Sequence, residues 1–282
     1  MQALIGTSTR LRSFIQDPRH FQIVFLGGFL TYGVLALGWD SQWMRYATLF
    51  GTCVGIQTIF IRWKGIPWSS LKSAVITALG MCLLLQAGSI WTLVFGATVA
   101  IAGKFLLRWK GRHIFNPGNL GIAAAVALTG DAWVSPGQWG SGAMLVFLVV
   151  ASGSIMVLRV GRIDTSVAFL GTFAALVYIR TVWYLGWGAD VWWHQLTNGS
   201  LLLFTFFMIT DPMTTPRSGK ARWLWGMGIA VLAFAFSWHF WIHAAPIWAL
   251  LLGCALNPLI DHLMHGEPFH WVRPAPHAQR TF

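Results

Sequence analysis

The chain has 282 residues, of which 56% are hydrophobic and only 10% are charged. Soluble domains carry about a quarter charged residues, so this composition excludes a soluble enzyme and defines an integral membrane protein. The formal charge of +11 raises nucleic acid as a partner, while 18 tryptophans suit rings that anchor at a membrane–water interface.

The first twenty residues are polar and hold Arg10, Arg12 and Arg19, so they do not read as a cleavable signal peptide. Ten apolar segments follow, at 21–39, 45–61, 70–88, 90–107, 114–130, 142–158, 165–186, 191–209, 222–240 and 243–260. Most reach the roughly 20 residues that cross a bilayer as a helix. The fifth is short and reads as a half-helix. The reading is an all-α polytopic membrane protein of about ten transmembrane helices, some broken or halved. It divides into an N-terminal segment 1–20, one transmembrane domain 21–262 and a tail 263–282. Two groups of five would form an inverted repeat, a common transporter plan.

Alternating sides through ten crossings, with the N-terminus inside, puts 17 of the 19 Lys and Arg on the cytoplasmic face. Only Arg45 and Arg180 fall on the other. The positive-inside rule therefore accounts for the basic excess, predicts both termini in the cytoplasm and removes the case for nucleic acid. The expected setting is a lipid bilayer, the bacterial inner membrane.

Three dipeptides punctuate the apolar segments: Asn116-Pro117, Asp211-Pro212 and Asn257-Pro258. Asn or Asp before Pro ends one helix and can start another, because Pro lacks the N–H, restricts the residue before it and fits a first helical position. In lipid, freed backbone groups survive only against protein or a cavity. The candidate binding residues are accordingly Asn116, Pro117, Asn119, Thr210, Asp211 and Asn257, gathered around one cavity on the cytoplasmic half. The plain alternative is that they only cap helices. Other polar residues have plain readings too. Lys104 and Arg108, one turn apart near a helix end, read as snorkelling to the interface, and Arg180 as reaching toward Asp190. His262, His265, Glu267 and His270 read as a basic tail rather than a metal site. The Asn198-Gly199-Ser200 sequon falls inside an apolar segment. No phosphate loop, nucleotide fingerprint or serine triad is present.

The run Gly111-Arg-His-Ile-Phe-Asn-Pro-Gly-Asn-Leu-Gly121 resembles a motif of the bacterial NqrB/RnfD membrane family. That family holds membrane components of the sodium-translocating NADH:quinone reductase and of the Rnf complex. Phe206-Phe-Met-Ile-Thr-Asp-Pro-Met-Thr-Thr-Pro216 is similar to its second motif, and Asn257-Pro-Leu-Ile-Asp261 to its last helix. Trp133-Val-Ser-Pro-Gly-Gln-Trp-Gly140 looks closer to a short branch found beside enediyne biosynthesis genes. The resemblance implies a ten-helix fold akin to urea transporters, a flavin-handling scaffold and partner subunits of a membrane or biosynthetic complex.

Family members carry FMN on a threonine in Ser-Gly-Ala-Thr. The counterpart here is Ser141-Gly142-Ala143-Met144, and a thioether offers no oxygen for a phosphoester. Covalent FMN is not expected, which leaves non-covalent FMN or riboflavin. Two functions remain. One is an electron-transport-type component of a membrane complex, holding a flavin or quinone and working with partner proteins. The other is a small-solute channel or transporter on the same scaffold.

Overall fold

The computed structural model describes residues 17–40, 42–139 and 142–269; Arg10, Arg12, Ser141, His270, Arg273 and Arg280 lie outside them. Each predicted apolar segment carries a helix. The first five are α1 (Pro18–Leu35), α2 (Trp43–Lys64), α3 (Leu71–Leu84), α4 (Ile90–Leu106) and α5 (Pro117–Thr129). Next come α6 (Ala143–Val160), α7 (Ile163–Tyr178, continued by a π-helical turn Ile179–Tyr184), α8 (Ala189–Leu196), α9 (Gly199–Leu203, continued by a π-helical turn Phe204–Met208), α10 (Gly219–Trp238) and α11 (Ala245–Leu263). Among the described residues, four helices are long and apolar enough to cross a membrane: α6, α7 with its extension, α10 and α11. Leu35 is 79% exposed and Trp183 81%. Large apolar side chains left this open on the outer surface suit a lipid solvent, not water.

Two segments depart from the predicted continuous spans. The 70–88 segment is helical only to Leu84, then becomes a strand β1 (Leu85–Ala87) paired antiparallel with β4 (Ala132–Val134), which follows α5. With 14 and 13 residues, α3 and α5 reach only about 20 Å at 1.5 Å per residue, short of a hydrocarbon core about 30 Å thick. The 191–209 segment is split at Asn198, whose side chain accepts from Ser200 N at 2.9 Å and caps α9. The sequon asparagine is therefore a cap between two helices, not a mid-helix residue.

The helices pack as two like halves. In the first, α1 lies on α3, α2 on α3 and α4, and α4 on α5. In the second, α6 lies on α9, α7 on the π-turn of α9 and on α10, and α10 on α11. The halves meet through equivalent members, α1 against α6 and α5 against α11. These pairs run in opposite directions. Arg159, at the end of α6, sits 3.8 Å from the Phe21 ring centroid at the start of α1. Arg112, just before α5, pairs with Asp261 near the end of α11 at 3.0 Å. That is the arrangement of an inverted repeat.

The described basic residues of the positive face gather at one end, held by few carboxylates. Asp17 receives Arg19 Nη2 and Lys72 Nζ, both at 2.8 Å. Burial alone would raise the Asp17 carboxyl, but the hydrogen bonds from Arg19 and Lys72 outweigh it and hold it well below the usual carboxylate range. Asp164 pairs with Arg222 at 2.7 Å. Between α4 and α5 a small hairpin, β2 (Arg108–Trp109) with β3 (Arg112–His113), turns on Lys110 and Gly111, both at positive φ.

Close helix contact depends on two glycines. A Cβ on Gly121 of α5 would lie 2.5 Å from Gly96 O on α4, and a Cβ on Gly96 3.1 Å from Gly121 O. Small residues at this crossing let the two backbones touch, as at many membrane helix interfaces.

Candidate functional site

At the basic end a cavity of about 270 Å³ lies between α1, α3, α4, the start of α5 and the turn after α9. Sequence order explains why it opens there. Asn116 caps α5, its Oδ1 accepting from Asn119 N at 3.0 Å, and Pro117 takes the first helical position. The capping fixes the Asn116 side chain, so its Nδ2 donates across to Met208 O at 3.3 Å and Asp211 Oδ2 at 3.4 Å. On the facing side the chain leaves the π-turn at Met208. Thr210 Oγ1 donates to Phe206 O at 2.7 Å, and Asp211 Oδ1 accepts from Met213 N at 3.0 Å. His113 Nε2 approaches Asp211 Oδ2 at 3.5 Å. Asn116, His113 and Asp211 thus form one polar edge, built from two motifs 95 residues apart in sequence.

Of the six candidates, Asn116, Pro117, Thr210 and Asp211 line this cavity. Asn119 and Asn257 do not, which corrects the expectation that all three breaks surround it. Asn119 is buried and donates from Nδ2 to Ile247 O at 3.0 Å, tying α5 to α11. Asn257 donates to Thr214 O, behind the turn that carries Asp211. The Asn257-Pro258 pair is no break at all, because α11 continues through Pro258 to Leu263. Helix continues there because Pro removes one N–H but Asn257 is anchored from the side. Asp211 likewise caps no helix; it closes a turn, with Thr214 N and Thr215 N both bonding to its carbonyl oxygen.

Other lining residues carried no sequence signal. Gln57 and Ser73 sit inside predicted apolar spans, and Ser70 at the edge of one. Lys104 does not snorkel: its Nζ turns inward and donates to Gln57 Oε1 at 3.1 Å and Ser73 Oγ at 2.9 Å. Gln57 Nε2 donates in turn to Ser70 Oγ at 3.2 Å. A polar group drawn from Gln57, Ser70 and Ser73 across two helices is invisible without the fold. The remaining lining is mostly apolar, with Leu26, Ile76, Phe105, Met156 and Phe207 among it, and also holds Arg19, Gln22, Thr77 and Arg108. Arg180 is far from this chemistry, stacked 4.5 Å from the Trp238 ring centroid rather than paired with Asp190. Met144 sits in the first turn of α6, 63% exposed, while Val160 at the other end of that helix lines the cavity. Along α6 that separation is about 24 Å at 1.5 Å per residue.

Fold and site together define a polytopic all-α membrane protein with a polar-edged cavity at one end of an inverted repeat. The profile of the NQR2, RnfD, RnfE family matches residues 126–270, slightly more than half the chain. The D component of an ion-translocating oxidoreductase complex from Ectopseudomonas mendocina is 31% identical, covering 86% of this chain and 89% of the relative. The protein of the same name from Pseudomonas paraeruginosa is 26% identical over 97% of this chain and 95% of its own length. The chain belongs to the NQR2, RnfD, RnfE family.

Proposed function

We propose that this protein is a membrane component of electron-transport type that holds a flavin or quinone, without a covalent bond, in the cavity at its basic end. It works there with partner subunits, as the names of its relatives state for them. The observation that carries the reading is the split character of the cavity: apolar walls with Phe105 and Phe207 on one side, and the Asn116–Asp211–His113 edge on the other. Ligand pockets have that form, a mostly apolar cleft with a few convergent polar groups. Its 270 Å³ lies just under the ~300–1,000 Å³ of typical small-molecule sites, enough for a planar ring system. The chain itself supplies neither hydride nor electron, so a bound flavin or quinone supplies the redox chemistry. Asn116, Gln57 and Ser70 orient the polar rim of the ligand, while α1 and α3 keep water from the rings.

Purification in mild detergent followed by visible spectroscopy tests this directly. The expected result is a flavin spectrum, or saturable binding of added flavin or quinone, lost on denaturation and leaving no fluorescent band on a gel. No bound or binding chromophore, together with solute uptake into vesicles holding the protein, would overturn it in favour of a transporter.

A further inference from the structure

A second, smaller cavity of about 80 Å³ lies on the basic face, outside the site described above. Three separate stretches of chain build it. The β2–β3 hairpin gives Lys110 and Arg112, the turn before α10 gives Arg217, and the end of α11 gives Asp261 and His262. Gly266 closes it: a Cβ there would lie 2.5 Å from Arg217 C and from Ser218 N, so the chain after α11 rests directly on that backbone. Asp261 organises the cations. Its Oδ1 accepts from Arg217 N at 2.8 Å, and its Oδ2 lies 3.0 Å from Arg112 Nη2. Donors are left over. Arg217 Nε is buried without a hydrogen bond, 3.7 Å from Asp261 Oδ2. Arg112 uses one of its nitrogens on Asp261, and a guanidinium has five N–H donors in a fork that fits phosphate.

The charges do not balance. Lys110, Arg112 and Arg217 bring three positive charges to the lining, where Asp261 is the one carboxylate among the described residues. The partial negative end of α11 offsets only part of the excess. At 80 Å³ the space is far below the ~300 Å³ of small-molecule pockets, so it suits a single anionic group and not a ring system. Its surroundings are those of a lipid boundary. Trp109 lines it and is 52% exposed, and the nearby Leu106, Leu259 and Leu263 are exposed apolar side chains. Tryptophan among exposed leucines marks the level where headgroups meet acyl chains. Basic pockets between membrane helices take anionic lipid headgroups. We propose that Lys110, Arg112 and Arg217 hold the phosphate of an anionic membrane lipid, whose acyl chains lie against the exposed leucines of α11. The hairpin belongs to the first half and α11 to the second, so the lipid bridges the two halves.

The experiment is native mass spectrometry of the protein in neutral detergent, titrated with short-chain phosphatidylglycerol and with phosphatidylcholine, which has the same phosphate but no net charge. Native protein should hold one phosphatidylglycerol about tenfold more tightly than phosphatidylcholine. In Lys110→Gln/Arg217→Gln the two lipids should bind within about twofold of each other, and Lys110→Gln alone, on the exposed hairpin turn, should cut the preference about threefold. Arg217→Lys should keep it. Arg62→Gln/Lys220→Gln removes two exposed basic residues that do not line the cavity and should leave the preference intact. Monodisperse elution of each variant confirms folding. No preference in native protein, or an equal loss in both double variants, overturns the proposal and leaves only a diffuse basic surface. Inorganic phosphate that displaces the lipid at equal concentration overturns it in favour of a free anion.

Discussion

Arg45 is buried, 6% exposed, and its guanidinium closes the broken end of α3: Nη1 donates to Leu85 O and Nη2 to Cys82 O, each at 3.0 Å. These are carbonyls that lose their helical partners where the chain turns from helix into β1. Replacing Arg45 by Met removes both bonds and leaves two acceptors in an apolar place. Bonds to charged groups contribute about 1.5–3 kcal/mol each, so the pair is worth roughly 3–6 kcal/mol before relief of the guanidinium's desolvation is subtracted. A net loss of about 2–4 kcal/mol is expected. At roughly 2–4 °C per kcal/mol for chains of this size, the melting point should fall by about 4–16 °C. Tryptophan fluorescence during heating in detergent measures it. Arg45→Lys, which keeps the charge but has one donor head, should recover about half. A melting point for Arg45→Met within about 2 °C of native would refute the reasoning.

At the α4–α5 crossing, Gly121→Ala sets a Cβ 2.5 Å from Gly96 O and 2.7 Å from Ala100 Cβ, and should cost about 1–3 kcal/mol in thermal unfolding. Gly118→Ala on the same helix meets nothing nearer than 3.6 Å and should be neutral or slightly stabilising, so similar losses for both would sink the packing argument. Asn116→Leu should cost about 1 kcal/mol as a lost cap but abolish binding of the cavity's ligand; full binding at native-like folding levels would reduce Asn116 to a cap. Reporter fusions at Met1 and Phe282 should both read as cytoplasmic, and opposite sides would break the ten-segment topology.

How much of this the sequence could carry depended on range. The apolar segments were legible because membrane solvent imposes a length and a composition that few other structures share. The Asn116-Pro117 start of α5 was legible because cap and proline act within four residues. Asn257-Pro258 has the same letters and no such effect, since α11 is packed on α10 and α5 and its helix outlasts one missing N–H. The inward turn of Lys104 was not legible. Charge near a helix end looks like an interfacial lysine until α2 and α3 supply Gln57 and Ser73. Likewise the split of the 70–88 segment follows from a strand partner, Ala132–Val134, that lies more than forty residues on.

The two halves share a packing plan but solve the same problem differently, and that difference locates the cavity. In each half the third span is broken and the second helix begins beside the exposed carbonyls. In the first half that helix carries Arg45, which takes up Cys82 O and Leu85 O, and the β1–β4 pair seals the rest. In the second half the equivalent start of α7 carries Ser166, whose hydroxyl reaches only Thr205 O at 2.8 Å. Met208 O takes only a long bond from Asp211 N at 3.4 Å within its own turn and one from Asn116 Nδ2, a residue of the other half, at 3.3 Å. One broken end is therefore plugged by a charged side chain and a strand ladder. The other is bridged by an amide and flanked by space, and it lies at the end where the basic residues gather. On the proposed reading, a ligand with polar edges completes the second end as Arg45 completes the first, and the cavity lies at the turn after Met208 and not at β1.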